Sequence, residues 1–166
     1  MDIVDIFGLQ FILSLVVLGL MATWYLNPWL KHQALADALF WLTLPHTLRY
    51  IGLVFLVPGV VSPAMPSSFS IAAGYGDLAA GILAILALVA LRQRWAVMIP
   101  LVWLFNIVGA LDLANALSHI KAVPHFQSAW YIPTFIVPVL VVTHFMMFVH
   151  LLRPVTKTFT HAQPRT

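Results

Sequence analysis

Long apolar runs alternate with short polar breaks along the whole chain. Five runs are long enough to cross about 30 Å of hydrocarbon at about 1.5 Å per residue. They are Ile3–Leu26, Ala36–Val61, Ser68–Leu91, Trp95–Ser118 and Ala129–Leu152. The runs are continuous rather than alternating, and Leu and Ala are abundant in them, which predicts helices and argues against barrel strands. The expected fold is all-α: an integral membrane bundle of about five transmembrane helices, forming one domain over residues 1–153.

The breaks support that division. Val61-Ser62-Pro63-Ala64-Met65-Pro66-Ser67-Ser68 reads as a tight loop, because its two prolines cannot continue a helix. His119–Ser128 is the longest connection on the same side. The first run opens with Met1-Asp2-Ile3-Val4-Asp5, without the basic start of a signal peptide. It closes on Trp24-Tyr25-Leu26-Asn27-Pro28-Trp29, an interfacial aromatic anchor, so it reads as a retained helix. Residues 154–166 read as a short, flexible, cytoplasmic tail.

Composition changes the picture by excluding alternatives. Of the 166 residues, 62% are hydrophobic and 8% charged, too few charges to clothe a water-soluble domain of this size, which carries roughly 25%. Cysteine is absent, which removes disulfides, thiolate nucleophiles and iron–sulfur ligation. The net charge of +3 reflects basic residues at segment ends, with no basic run that would suit nucleic acid. Lys31, Arg92, Arg94, Arg153, Lys157 and Arg165 fall on one side, and Lys121, Asp2 and Asp5 on the other. By the positive-inside rule the N-terminus is outside and the C-terminus inside. The expected location is a bacterial inner membrane, with the lipid bilayer as first partner.

The informative residues are the polar ones inside the spans. A charge at bilayer centre costs about 2.5–3.5 kcal/mol on insertion scales and marks a functional site by default. Counted from the inner ends, His46 and His144 lie at one level, with Arg49, Asp77 and Asp112 slightly deeper and within a few ångströms of one another along the axis. His46 and Arg49 are three apart and share a face, which Thr43 and Tyr50 extend; Asp112 and Asn115 pair the same way. Asn106 lies further around its helix and points elsewhere. The spacing therefore predicts a buried Arg49–Asp77–Asp112 network, with Tyr50 and Asn115 beside it and His46 and His144 on its inner side. Buried charge pairs can also serve only to fix helix register.

Two His on different helices at one depth suggest axial ligation of haem b. Zinc would need more ligands than stand nearby. The string Gly74-Tyr75-Gly76-Asp77 looks like a potassium-channel filter, but no pore helix or Thr-Val pair precedes it. Helix packing explains it better, since Ala72, Gly76, Ala80 and Ala84 recur every four residues. Pro45 and Pro138 read as ordinary packing prolines of membrane helices.

From the second span onward the layout resembles the DoxX-like group of small bacterial membrane proteins. The resemblance rests on Arg49, Gly52, Phe55 and Gly59, on the loop prolines Pro63 and Pro66, and on Asp77-Leu78-Ala79-Ala80-Gly81. It covers about two-thirds of the chain. That family has four helices and more often Glu at the place of Asp77, so the first span would be an addition. The resemblance implies an accessory role in quinone and thiol redox complexes.

Together these readings favour a small binding protein: an Arg/Asp/His centre holding a quinone headgroup or haem, as an accessory subunit of a membrane redox complex. Other redox subunits and further copies of the chain are the partners left open. No nucleophile stands beside a base, so the chain reads as no enzyme on its own. The rivals are a proton-coupled transporter using Asp77 and Asp112, and a structural or assembly subunit.

Overall fold

The computed structural model describes residues 1–153. The expectation for the tail falls on 154–166 and lies outside the described residues. The described chain is all-α, with five helices long and apolar enough to cross a membrane: α1 (Ile3–Lys31), α2 (Leu35–Leu56), α3 (Ser67–Arg92), α4 (Met98–Ser118) and α5 (Gln127–Leu151). Helix α1 starts at a capping box, Asp2 against Asp5. It passes through the Trp24–Tyr25 anchor without ending, by opening into a π turn over Ala22–Leu26 just before Pro28. A second π turn, Ile132–Ile136, contains Pro133 and is followed by Pro138. A proline in a helix interior removes one N–H and crowds the carbonyl four residues back, and the wider turn relieves that crowding.

Pro45 has the opposite outcome, contrary to its reading as plain packing. From Leu44 to Leu56 the helix α2 tightens into a 3₁₀ helix of 13 residues, where runs beyond three or four residues are uncommon. Two consequences follow. At about 2.0 Å per residue this half alone spans about 26 Å, so α2 ends at Leu56 rather than at the expected Val61. With three residues per turn, His46, Arg49, Gly52 and Phe55 fall in one straight row, and these four are the buried residues of the segment.

That row packs along α3, which is lined with small residues, and α3 packs in turn on α4. Ala73, Ala80, Ala84, Ala87 and Ala90 are all buried, which lets the neighbouring backbones approach. Ala72 and Gly76 of the expected four-residue repeat are only half-buried. The filter-like Gly74–Asp77 string is continuous helix, with Tyr75 turned outward. Helix α1 contributes little burial and packs on α5 and the loop before it.

The core divides into two apolar clusters. One includes Leu39, Leu42, Leu91, Phe105 and Met147, toward the end that carries Lys31, Arg92 and Arg94, here called the basic end. The other includes Phe7, Phe55, Phe69, Val123 and Phe126, toward the opposite, aromatic end. Along α3, Ala73 belongs to the second cluster and Ala84 to the first, and Asp77 falls between them. The aromatic end is closed by two loops stitched together through their backbones: Ser62 N–H donates to the His125 carbonyl at 2.9 Å, and Ser128 N–H to the Val60 carbonyl at 3.2 Å.

Candidate functional site

Arg49, Asp77 and Asp112 meet between the two clusters. Arg49 Nε donates to Asp77 Oδ1 at 2.8 Å, and Nη2 to Asp112 Oδ2 at 2.5 Å. Its Nη1 donates to the Gly109 carbonyl at 3.0 Å and faces His144 Nε2 at 3.4 Å. The guanidinium side chain is wholly buried, while the Asp77 and Asp112 side chains keep 13% and 15% of their exposure. The three groups thus combine three helices, and one positive charge faces two negative ones.

Glycines create the room for this arrangement. A β-carbon on Gly52 of α2 would collide with the Asp77 side chain, and one on Gly76 of α3 with the Asp112 carboxylate. On Gly109 of α4 it would press on His144 Cε1 at 2.8 Å and on Arg49 Nη1 at 2.9 Å. Each carboxylate therefore crosses to Arg49 over a bare α-carbon of the neighbouring helix, a close approach that only glycine permits.

Below the guanidinium, toward the basic end, lies a layer of polar side chains. His144 Nδ1 contacts Asn106 Oδ1 at 2.6 Å. That bond makes Nδ1 the protonated nitrogen and leaves the Nε2 lone pair toward Arg49. His46 Nε2 donates to Thr143 Oγ1 at 2.8 Å, and the Thr143 hydroxyl donates to the Val139 carbonyl at 2.8 Å. The two imidazoles pack at a centroid separation of 4.1 Å, with Phe105 against both. Two side-chain nitrogens of this layer, His46 Nδ1 and Asn106 Nδ2, are buried without a partner among the described residues.

Above the carboxylates, toward the aromatic end, a cavity opens. Its walls are apolar and largely aromatic, with Phe7, Phe55, Phe69, Phe126, Val123 and Ile132 among them, and Asp77 and Asp112 lie on its lining. The space not filled by atoms is about 540 Å³ when the open mouth is counted. Its enclosed part, about 40 Å³, has room for about three waters. His119 stands in the lining, its ring 5.8 Å from that of Phe69.

The sequence expectations divide accordingly. Arg49, Asp77, Asp112, His46 and His144 come together. Tyr50 does not join them and is 50% exposed. A step of four residues returns to nearly the same face in an α-helix but lands about 120° away in a 3₁₀ helix, so the tightening of α2 turns Tyr50 out. Asn115 is exposed as well, and its carbonyl receives the Ser118 hydroxyl at 2.7 Å. Around α4, Gly109 and Leu113 lie to one side of Asp112 and face the core, whereas Asn115 lies to the other. Asn106, expected to point elsewhere, is fully buried and holds His144. Its signal was a polar residue three before Gly109 and six before Asp112, on a helix otherwise apolar at that level. His150 is buried as well.

Haem does not fit the two histidines. Axial ligation needs two ring nitrogens aimed at one iron from opposite faces of a flat macrocycle, each about 2 Å away as in other metal–imidazole bonds. Here the rings touch each other, and three of their four nitrogens face Thr143, Asn106 and Arg49. No cluster of three or more His, Cys, Asp or Glu suited to a metal ion occurs among the described residues.

The fold and site define an all-α, five-helix protein of membrane-spanning character, organised around a buried Arg–Asp–Asp triad. The chain belongs to the family described as a domain of unknown function (DUF8737), whose match covers residues 6–152. The match takes in all five helices, α1 from residue 6 onward, so α1 is part of the family unit. No curated protein and no solved structure matches the chain.

Proposed function

We propose that this protein binds the polar head of a small molecule on Asp77 and Asp112 at the floor of the aromatic-walled cavity, with the body of that molecule toward the cavity mouth. The single observation that carries the reading is the placement of both carboxylates, still partly exposed, on the lining of that cavity. A triad serving only to fasten helices gains nothing from a cavity above it. Arg49 positions the two carboxylates, and the His46–His144–Asn106 layer closes the site toward the basic end.

The chemistry of the lining narrows the head group. Four of the five Arg49 N–H donors have partners and the guanidinium is wholly buried, so the carboxylates offer the cavity acceptors. A quinone presents acceptor carbonyls and matches poorly; its reduced hydroquinone presents hydroxyl donors and matches. A redox-accessory role, as the DoxX-like resemblance implies, rests on this point and on the buried row of Arg49, Gly52 and Phe55. The basic residues gathered at one end support a bacterial inner-membrane protein with the aromatic end outside.

A second reading, proton-coupled transport, is favoured by one observation, the excess of one carboxylate over guanidinium charge. Against it, the cavity lined by Asp77 and Asp112 lies toward the aromatic end, and the sequence carries no convincing inverted repeat.

Thermal unfolding in detergent with rising hydroquinone or benzyl alcohol tests the binding reading. The midpoint should rise with concentration in the wild type and stay flat in Ala116→Phe, whose ring would fill the cavity from α4. Flat curves for every probe, with Asp77→Asn and Asp112→Asn altering only stability, would assign the triad to helix packing. Proton uptake into liposomes that vanishes in Asp77→Asn or Asp112→Asn would instead favour transport.

A further inference from the structure

A groove runs along the outside of the bundle where α1 packs on α5. It holds about 370 Å³, against about 40 Å³ in the enclosed part of the triad cavity, so it has room for a chain where the cavity has room for waters. Both helices run toward the basic end, so residue number measures depth on either wall. The deeper part is apolar, with Gly19 and Ala22 from α1 and Val142 and Phe145 from α5. Nearer the basic end the lining turns polar, with Thr23 and Asn27 from α1 and His150 from α5. Asn27 lies about 12 Å beyond Gly19 along the axis. His150 is 5% exposed, and its Nε2 has no partner among the described residues. A buried ring nitrogen left unpaired costs free energy that a hydrogen-bonding guest recovers. Helix α1 also opens into its π turn, Ala22–Leu26, along this wall, and such turns recur at functional sites.

Charge completes the pattern beyond the polar step. Lys31 stands one turn past Asn27 on the same side of α1. Arg153 follows His150 by three residues, and its charge bears on that ring. Both cations are exposed, and among the described residues neither meets a carboxylate. Asp37, the one acidic residue at that end among them, is held by Arg94. An apolar groove, then hydrogen-bonding groups, then two uncommitted cations match a phospholipid read from acyl chain to ester to phosphate. A helix from a second copy would match the apolar stretch and leave the cations without a counter-charge.

We infer that the groove between α1 and α5 binds an anionic phospholipid of the basic-end leaflet, with an acyl chain beside Gly19 and Phe145, the ester region at Asn27 and His150, and the phosphate at Lys31 and Arg153. This site is separate from the triad cavity and stands whether or not that cavity takes a ligand.

Unfolding midpoints of the purified full chain in a neutral detergent, titrated with phosphatidylglycerol, phosphatidylcholine or glycerol phosphate, test it. Phosphatidylglycerol should bind about tenfold or more tighter than phosphatidylcholine, because the two cations favour an anionic head and repel the choline ammonium. Glycerol phosphate, the head without chains, should shift nothing at the same concentration. Lys31→Gln combined with Arg153→Gln should erase the preference, whereas Arg92→Gln combined with Arg94→Gln should keep it. Gly19→Phe, whose ring enters open space in the groove, should weaken binding of both lipids. Equal binding of the two lipids, or a preference that survives without Lys31 and Arg153, would overturn the inference. So would a preference lost equally without Arg92 and Arg94, an equal effect of glycerol phosphate, or lipid binding indifferent to Gly19→Phe. A dimer that Gly19→Phe dissociates would give the groove to a second copy instead.

Discussion

Asp112 reaches Arg49 across the α-carbon of Gly76, at the place where any other residue would carry a β-carbon. The ion triad therefore depends on a residue that makes no polar contact of its own. Helices α3 and α4 can approach to this distance only while position 76 stays bare.

Gly76→Ala should accordingly destabilise the protein by about 1–3 kcal/mol, the cost of overpacking a tight helix contact. Gly8→Ala and Gly19→Ala on α1 have open space around the new methyl group and should leave stability unchanged or raise it by up to about 1 kcal/mol through helix propensity. Thermal or denaturant unfolding of the three variants in one detergent checks the contrast. Equal behaviour of all three would mean that Gly76 does not gate the triad.

Removing the guanidinium should cost far more than removing one carboxylate. Arg49→Met leaves two carboxylates facing each other without a cation, and a broken buried pair costs about 3–5 kcal/mol. Arg49→Lys should fall between, since one ammonium cannot reproduce the forked contacts to Asp77, Asp112 and Gly109. Combining Arg49→Met with Asp77→Asn and Asp112→Asn should recover much of the loss, because no unpaired charge remains. Folded yield and unfolding midpoint measure all three; failure of the triple variant to recover would show that geometry rather than charge balance dominates.

The histidine layer should show itself as packing and hydrogen bonding. Protein purified after full haem supply should lack a Soret band, because His46 and His144 pack against each other. His144→Ala should lose about 1–3 kcal/mol, leaving the buried Asn106 Oδ1 without its donor. A Soret band that disappears in either His variant would reverse the exclusion of haem.

Exposed charges should matter little. Arg94 and Asp37 pair at 2.5 Å, but their side chains are 48% and 45% exposed. Such pairs contribute about 0–1 kcal/mol, so Asp37→Asn should shift stability by no more than that. A larger loss would mark this pair as a structural clamp between α2 and the α3–α4 turn.

Topology is directly measurable because the chain has no cysteine of its own. A single cysteine at Ala64 in the aromatic-end loop should react with a membrane-impermeant maleimide in intact cells. One at Gln93 beside Arg92 and Arg94 should react only after permeabilisation. The reverse pattern would invert the orientation drawn from the basic residues.

Several features were legible in the chain without coordinates. Runs of about twenty apolar residues have one solution in a bilayer-like solvent, because every backbone polar group must be satisfied within its own helix. Depth counting placed Arg49, Asp77 and Asp112 within a few ångströms of one another along the axis, since a charge buried among apolar helices must find its counter-charge nearby. The residues beside them depended on facts no residue count contains. Proline can tighten a helix, loosen it or leave it alone, and which occurs at Pro45 depends on what α3 presents to the next turns of α2. The 3₁₀ winding aligned His46, Arg49, Gly52 and Phe55 and turned Tyr50 away. Asn106 entered the site and Asn115 left it because the face of α4 that meets the core is chosen by packing against Gly76 and His144. Hydrophobicity, a property of each residue, decided the helices; the fit of one helix surface to another, a property of pairs distant in sequence, decided the site.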